Sequence, residues 1–167
     1  PFFWKNKSKI PIYGSNRTIK ALKSSYRFCF KENHGYKPIM KAKIINKDFC
    51  IKKNNTKLSI KAFDVTHGLI KSTAYVMDKI AYISDCNKIP SKNLKYLKNL
   101  NYLILDCLKI NKHPSHFNLD EALNLINLTK PKKAILTNLH TDLDYFKLKK
   151  KLPKNIIPAY DGLSFKY

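Results

Sequence analysis

Six side chains able to bind a metal ion or move a proton stand at or just beyond the ends of apolar runs: His67, Asp85, Asp106, His113, His116 and His140. His67 closes an alternating run that ends at Thr66. Asp85 follows residues 80–84, Asp106 follows residues 102–105 with His113 and His116 shortly after, and His140 follows residues 134–139. Imidazole nitrogen and carboxylate oxygen are the donors that suit Zn²⁺, Mn²⁺ or Fe²⁺. Histidine also titrates near neutrality and is the commonest general acid or base. In open α/β sheets, ligands bind beyond the carboxyl ends of the strands, so residues distant in sequence can share one site. Spacing alone leaves the structural alternatives open: a strand-end histidine held by a hydrogen bond, or an aspartate capping the next turn.

The elements that must position these residues are legible from periodicity. Residues 10–13 read as a strand, and Ser15 as the cap of a helix reaching about Ser25. Residues 26–30 are aromatic and strand-like; residues 31–40 form a loop. Residues 43–45 and 49–52 flank Asn46-Lys47-Asp48 as a hairpin. Residues 57–66 alternate, with a change of phase after Ala62 that suggests a bulge. Residues 74–77 and 80–84 form a tight hairpin across Asp78-Lys79. Pro90-Ser91 opens a helix carrying Leu94, Leu97 and Leu100. Residues 102–105 and 134–139 suit buried strands. Asn118 and Glu121 form a capping box for the helix between those strands, which Pro131 ends. Thr141 and Asp144 cap a helix to about Leu152, stopped by Pro153. Residues 156–160 and 163–167 pair across Asp161-Gly162. Hairpins first and strand–helix alternation afterwards predict an α/β or α+β mixed sheet covered by helices.

Composition narrows the function classes. No apolar run reaches 18 residues, so no spanning helix is predicted, and Pro1-Phe2-Phe3-Trp4 is too short for a signal-peptide core. A cytoplasmic setting is expected. The net charge is +22, but only Arg17 and Arg27 of the 33 basic residues are arginine, and the lysines are spread along the chain. Arginine is the residue that suits bidentate phosphate and base recognition. A solvated lysine surface is therefore the favoured reading, and a nucleic-acid partner the alternative. Cys29, Cys50, Cys86 and Cys107 include no C-x-x-C pair. Cys86, beside Asp85, reads as a packed thiol.

Taken together, Val65-Thr66-His67-Gly68, Asp85-Cys86, Asp106-Cys107 and the run from His113-Pro114-Ser115-His116 to Ala122 resemble a metallo-β-lactamase-fold hydrolase. So do Leu136-Thr137-Asn138-Leu139-His140 and Pro158-Ala159-Tyr160-Asp161-Gly162. The similarity is greatest to the phosphoribosyl cyclic phosphodiesterase branch of phosphonate breakdown. It implies a four-layer αββα sandwich, here partial, over residues 1–167 as a single domain. It also implies two divalent metal ions, zinc or manganese, that activate a hydroxide against a cyclic phosphate ester. By resemblance His67 is the later metal-ligating histidine, Asp85 the bridging carboxylate and His140 the last ligand. His116 is the catalytic histidine that protonates the leaving group. Asp106 is read as holding the His113 loop, and His113 as structural. The implied partner is a small phosphorylated substrate, with no membrane; a homodimer is compatible, and a nuclease or an inactive fragment is the competing reading. The family's H-x-H-x-D-H motif occurs nowhere in the 167 residues. The chain is therefore expected to be the rear part of such a domain, lacking its N-terminal portion just ahead of Phe2-Phe3, and inactive or nearly so alone.

Overall fold

The computed structural model describes residues 7–45 and 47–166. Residues 1–6, Asn46 and Tyr167 lie outside the described residues, and with them the opening Pro1–Trp4 run, the centre of the expected 46–48 turn and the last residue of the expected terminal hairpin. The chain divides into two compact units, residues 1–48 and 49–167.

In the first unit, β1 (Ile10–Gly14) runs parallel to β2 (Met40–Ile44) in register Ile10↔Met40. A parallel pair needs a crossover, and α1 (Asn16–Ser25) supplies part of it, capped by the Ser15 side chain accepting from the Thr18 N–H at 3.2 Å. Residues 26–30 are not a strand. They form the short helix α2 (Arg27–Phe30), because the Tyr26 N–H is already spent on the Leu22 carbonyl at 2.8 Å and Lys31 closes a turn onto Arg27 at 2.9 Å. Cys29 alone is buried there while Tyr26 and Phe28 are exposed, a one-in-four inward period rather than the alternation of a strand.

The second unit is a seven-stranded sheet in the order β3 (Phe49–Lys53), β4 (Thr56–His67), β5 (Ile70–Met77), β6 (Ile80–Ile83), β7 (Tyr102–Asp106), β8 (Lys133–Thr137) and β9 (Ile156–Pro158). The expected β2–β3 hairpin is absent: β2 pairs with β1, and β3 pairs with β4 across Asn54, which takes the positive φ of 52° that a tight hairpin turn needs. The expected bulge after Ala62 is also absent, since β4 and β5 stay in unbroken register from Ile60↔Met77 to His67↔Ile70. The apolar change of phase has another cause: Ile60 and Ala62 are buried on one face, Phe63 and Val65 on the other. The β5–β6 hairpin forms across Asp78-Lys79 as expected.

From β6 to β9 every pairing is parallel. The β6–β7 connection holds a 3-10 helix (Ser91–Leu97) rather than an α-helix. Leu94 and Leu97 recur at a strict interval of three, which is the 3-10 repeat, and Asn93 fixes the turn by donating to the Asp64 carbonyl at 3.0 Å. Helix α3 (Leu119–Thr129) follows β7, and its capping box is complete: the Glu121 N–H reaches Asn118 Oδ1 at 2.9 Å and the Asn118 N–H reaches Glu121 Oε2 at 3.1 Å. Helix α4 (Tyr145–Lys151) follows β8 and is capped by Asp144, not Thr141. Leu103 and Leu105 of β7 and Leu136 of β8 are fully buried, each burial stabilising the fold by about 2 kcal/mol.

The terminal hairpin does not form. Leu163 closes a turn onto the Tyr160 carbonyl at 3.0 Å, with Gly162 at φ 89°, but residues 163–166 make no ladder. They fold back over β7 instead: the Phe165 ring stacks on Tyr102 at 4.3 Å, and Tyr102 Oη donates to the Lys166 carbonyl at 3.2 Å. Among the described residues, no helix is long and apolar enough to cross a membrane.

Candidate metal centre

Strand direction gathers the chemistry. β4 and β6 are each antiparallel to β5 and so run the same way, and β7, β8 and β9 run parallel to β6. The carboxyl ends of β4, β6, β7 and β8 therefore lie on one edge of the sheet, where His67, Asp85, Asp106 and His140 leave it. Backbone φ is positive just beyond three of these ends, at Gly68 (60°), Asp85 (29°) and Asn138 (62°). Outside glycine such conformations are sparsely populated and concentrate at functional sites.

His67, Asp85 and His116 come together, with one donor atom from each lying within 4.8 Å of the others. The two histidines meet Nε2 to Nε2 at 3.2 Å, with their rings edge to face. Two nitrogens bound at about 2.1 Å in a tetrahedral shell stand roughly 3.4 Å apart. The two ring nitrogens are thus close enough for His116 to face an ion held by His67, and imidazole with carboxylate is a donor set that suits a divalent metal ion. Ser84 Oγ donates to Asp85 Oδ2 at 3.1 Å, and Ser72 Oγ donates to the Asp85 carbonyl at 2.5 Å. These bonds hold a carboxylate whose backbone is left-handed.

His140 is not part of this triplet. It is exposed, and its Nδ1 meets Asp142 Oδ1 at 3.1 Å, which leaves Nε2 as the free donor. Burial alone raises the Asp142 pKa, but the Ile110 N–H, the His140 ring and the charges of His140 and Lys109 outweigh it, so the carboxyl lies below its ordinary value. The His140 N–H is tied to the Leu108 carbonyl at 2.7 Å, fixing its turn beside the loop that follows β7.

Asp106 is the hub of this loop, as its expected role in holding the His113 segment requires. Its side chain is fully buried, yet Oδ2 accepts from the Cys86 N–H (3.0 Å), the Phe117 N–H (3.3 Å) and His116 Nδ1 (2.9 Å), and Oδ1 accepts from Asn138 Nδ2 (2.9 Å). A buried carboxylate with that many donors is compensated. Since Asp106 takes the Nδ1 hydrogen of His116, Nε2 carries the lone pair that faces His67. His113 packs its ring 5.2 Å from that of His116 and receives Ser115 Oγ at 3.3 Å.

Two residues missed in the sequence complete the frame. Asn87 accepts from the Gly68 N–H at 3.1 Å and donates to the Pro114 carbonyl at 3.0 Å, clamping the exit of β4 to the His113–His116 loop. Asn138 supports Asp106. The one signal in the sequence was asparagine at a strand exit, where it tolerates positive φ. Cys86 and Cys107 are fully buried, and burial, with the nearby Asp106 charge contributing, pushes each thiol up to about 12. They are packed neutral thiols.

Comparison with known proteins agrees with this architecture. Residues 3–138 match the β-lactamase superfamily domain. A solved structure described as a new diphosphatase from the PhnP family superposes with a TM-score of 0.82 at 25% identity, over 93% of this chain and 57% of that one. The metallo-β-lactamase fold protein YhfI from Bacillus subtilis gives a TM-score of 0.67 at 17% identity, over 93% of this chain and 64% of that one. An octanoyltransferase from Porphyromonas gingivalis is 23% identical over 159 residues, 93% of this chain and 32% of that protein. The chain thus spans about a third of that relative and just over half of the diphosphatase.

Proposed function

Because the chain belongs to the β-lactamase superfamily and carries the metallo-β-lactamase fold, we propose that it forms part of the metal centre of a phosphodiesterase acting on a small cyclic phosphate ester. The observation that carries this reading is the meeting of His67, Asp85 and His116 donor atoms within 4.8 Å at the sheet edge. The similarity to the PhnP-family diphosphatase supports phosphoester chemistry over the octanoyl transfer named for a protein of which the chain covers only 32%.

In this reading His67, Asp85 and His140 hold two divalent ions, zinc or manganese. Such ions, when bound, lower the pKa of a water and neutralise charge developing on phosphoryl oxygens. The protein's own groups do the rest. Asp85 has two oxygens to share, and Ser84 fixes its rotamer. Asp142 orients His140 through Nδ1 and makes its Nε2 the more basic nitrogen. His116 protonates the departing alkoxide, with Asp106 at 2.9 Å stabilising the imidazolium before the proton leaves. The 4.8 Å spacing of the triplet supports a proton donor standing beside the ligands.

Zinc or manganese titrated into metal-free chain should bind with measurable heat, and His67→Ala or Asp85→Asn should abolish the strong phase. Hydrolysis of a five-membered cyclic phosphodiester, followed by phosphorus NMR on metal-loaded protein, tests the substrate class. A parent chain that binds neither metal overturns the reading.

A further inference from the structure

Beside the metal centre, on the same edge of the sheet, lies a strip that the hydrolytic reading does not use. Tyr145 and Phe146 open α4, and Tyr160 follows β9. The Tyr145 ring lies 5.2 Å from Phe146 and 5.9 Å from Tyr160, both edge to face. Phe146 is 72% exposed and Tyr160 55% exposed. Aromatic rings that cluster and still face water leave much apolar surface unburied, which a folded chain retains where something else covers it.

The surroundings say what that something is. Lys149 Nζ stands 5.6 Å from the Tyr145 ring, and Lys150 shares the α4 face of Phe146 one turn on. The strip continues past the His140 turn onto the loop after β7, since the Ile110 N–H donates to Asp142 Oδ2 at 3.3 Å; this loop adds Lys109 and Lys112. Of the three carboxylates that the strip's residues bring with them, Asp142 and Asp144 are engaged with the backbone N–H groups of Ile110 and Lys147, and exposed Asp161, next to Tyr160, is outnumbered by Lys109, Lys112, Lys149 and Lys150. Ring faces interleaved with ammonium groups suit a ligand that carries flat bases and a run of phosphates. Lysine as a point charge is adequate here, because stacking and charge together hold single strands without base-edge readout.

We infer that this face binds single-stranded nucleic acid, with bases stacked against Phe146 and Tyr160 and the backbone following Lys149, Lys150, Lys109 and Lys112. The inference goes beyond the hydrolase reading and does not depend on metal, so it is tested with chelator present.

Fluorescence anisotropy with a labelled single-stranded RNA of about twelve nucleotides is the direct measurement, with inorganic polyphosphate of matched charge as competitor. The parent chain should bind the RNA, lose affinity steeply with salt and resist displacement by polyphosphate. Phe146→Ala/Tyr160→Ala, with an unchanged circular dichroism spectrum, should weaken RNA binding about 10-fold or more per stacked base and leave polyphosphate binding unaltered. Lys149→Glu/Lys150→Glu should weaken both. Equal displacement by polyphosphate, equal affinity for a single mononucleotide, or an unaffected double aromatic variant overturns the inference. None of these outcomes bears on metal binding, which is measured separately by calorimetry.

Discussion

Asp106 Oδ2 lies 2.9 Å from His116 Nδ1, and that single bond sets which nitrogen of His116 faces His67. The carboxylate, at the end of β7, is buried completely and the imidazole mostly, and Asp106 also accepts from the Cys86 N–H beyond β6 and from Asn138 Nδ2 beyond β8.

Asp106→Ala removes an acceptor from four donors in a dry environment. It is expected to lower stability by about 3 kcal/mol or more, read from urea unfolding. Asp106→Asn, of equal size, should recover part of the loss, because its amide oxygen can accept at the Oδ2 position while its NH2 meets the Asn138 amide and the negative charge is gone. A loss under about 1 kcal/mol for both would show that Asp106 is not the hub of the loop.

The two site histidines should separate by readout. His67→Ala is expected to lose zinc affinity by about 100-fold or more, at least the range attributed to supporting residues alone. His116→Ala should keep most of that affinity, while hydrolysis by a protein carrying the complete centre drops about 10²–10⁴-fold. If calorimetry instead finds the two variants equally metal-deficient, His116 is a ligand and not the proton donor.

Gly68 stands between the two halves of the centre. Its φ is 60°, and an added Cβ would come within 3.0 Å of Ser115 Cβ, next to His116. Gly68→Ala is expected to cost about 1–3 kcal/mol through backbone strain and that contact, and to weaken metal binding by displacing the loop. A thermal melt paired with a metal titration checks both. Unchanged metal affinity in a destabilised variant would uncouple the β4 exit from the site.

Cys86 and Cys107, with thiols pushed up to about 12 mainly by burial, stay protonated through neutral pH. At pH 8 their native-state alkylation, followed by mass spectrometry, should be negligible beside that of the half-buried Cys50 and should appear only on unfolding. The sign for stability follows from linkage. Folded pKa values above the ordinary value of 9.0 mean that the unfolded chain releases these protons first, so stability is full below pH 9.0 and falls as pH rises toward 12. Rapid native labelling at both sites would contradict the packing.

Asn118→Ala breaks one arm of the capping box and should cost about 1 kcal/mol, seen as a lower melting temperature. Glu121→Ala should cost less, since its side chain satisfies one backbone donor near the surface.

Much of the scaffold was written locally. The Ser15, Asn118 and Asp144 caps, the Asp78-Lys79 hairpin and the runs at 102–105 and 134–139, the last of which ends as a strand at Thr137, depend on residues a few positions apart. Resemblance added His67, Asp85, His116 and His140 as candidates. The failures share one cause. Residues 26–30, 43–52 and 163–166 carry strand or turn signals, but which segment each of them pairs or packs with is decided by distant parts of the chain. Tyr26 continued a helix, β2 was taken by β1, and the tail found Tyr102.

The sequence by itself determined which residues can do chemistry, and that each leaves the end of an apolar run. Only the tertiary structure decided that β4, β6, β7 and β8 point the same way, so that His67, Asp85 and His116 meet while His140 stands apart on its own turn. It also decided that Asn87 and Asn138, silent in the sequence, hold the frame. Strand direction and loop closure are set by pairings between distant segments, whereas periodicity and capping act within a few residues.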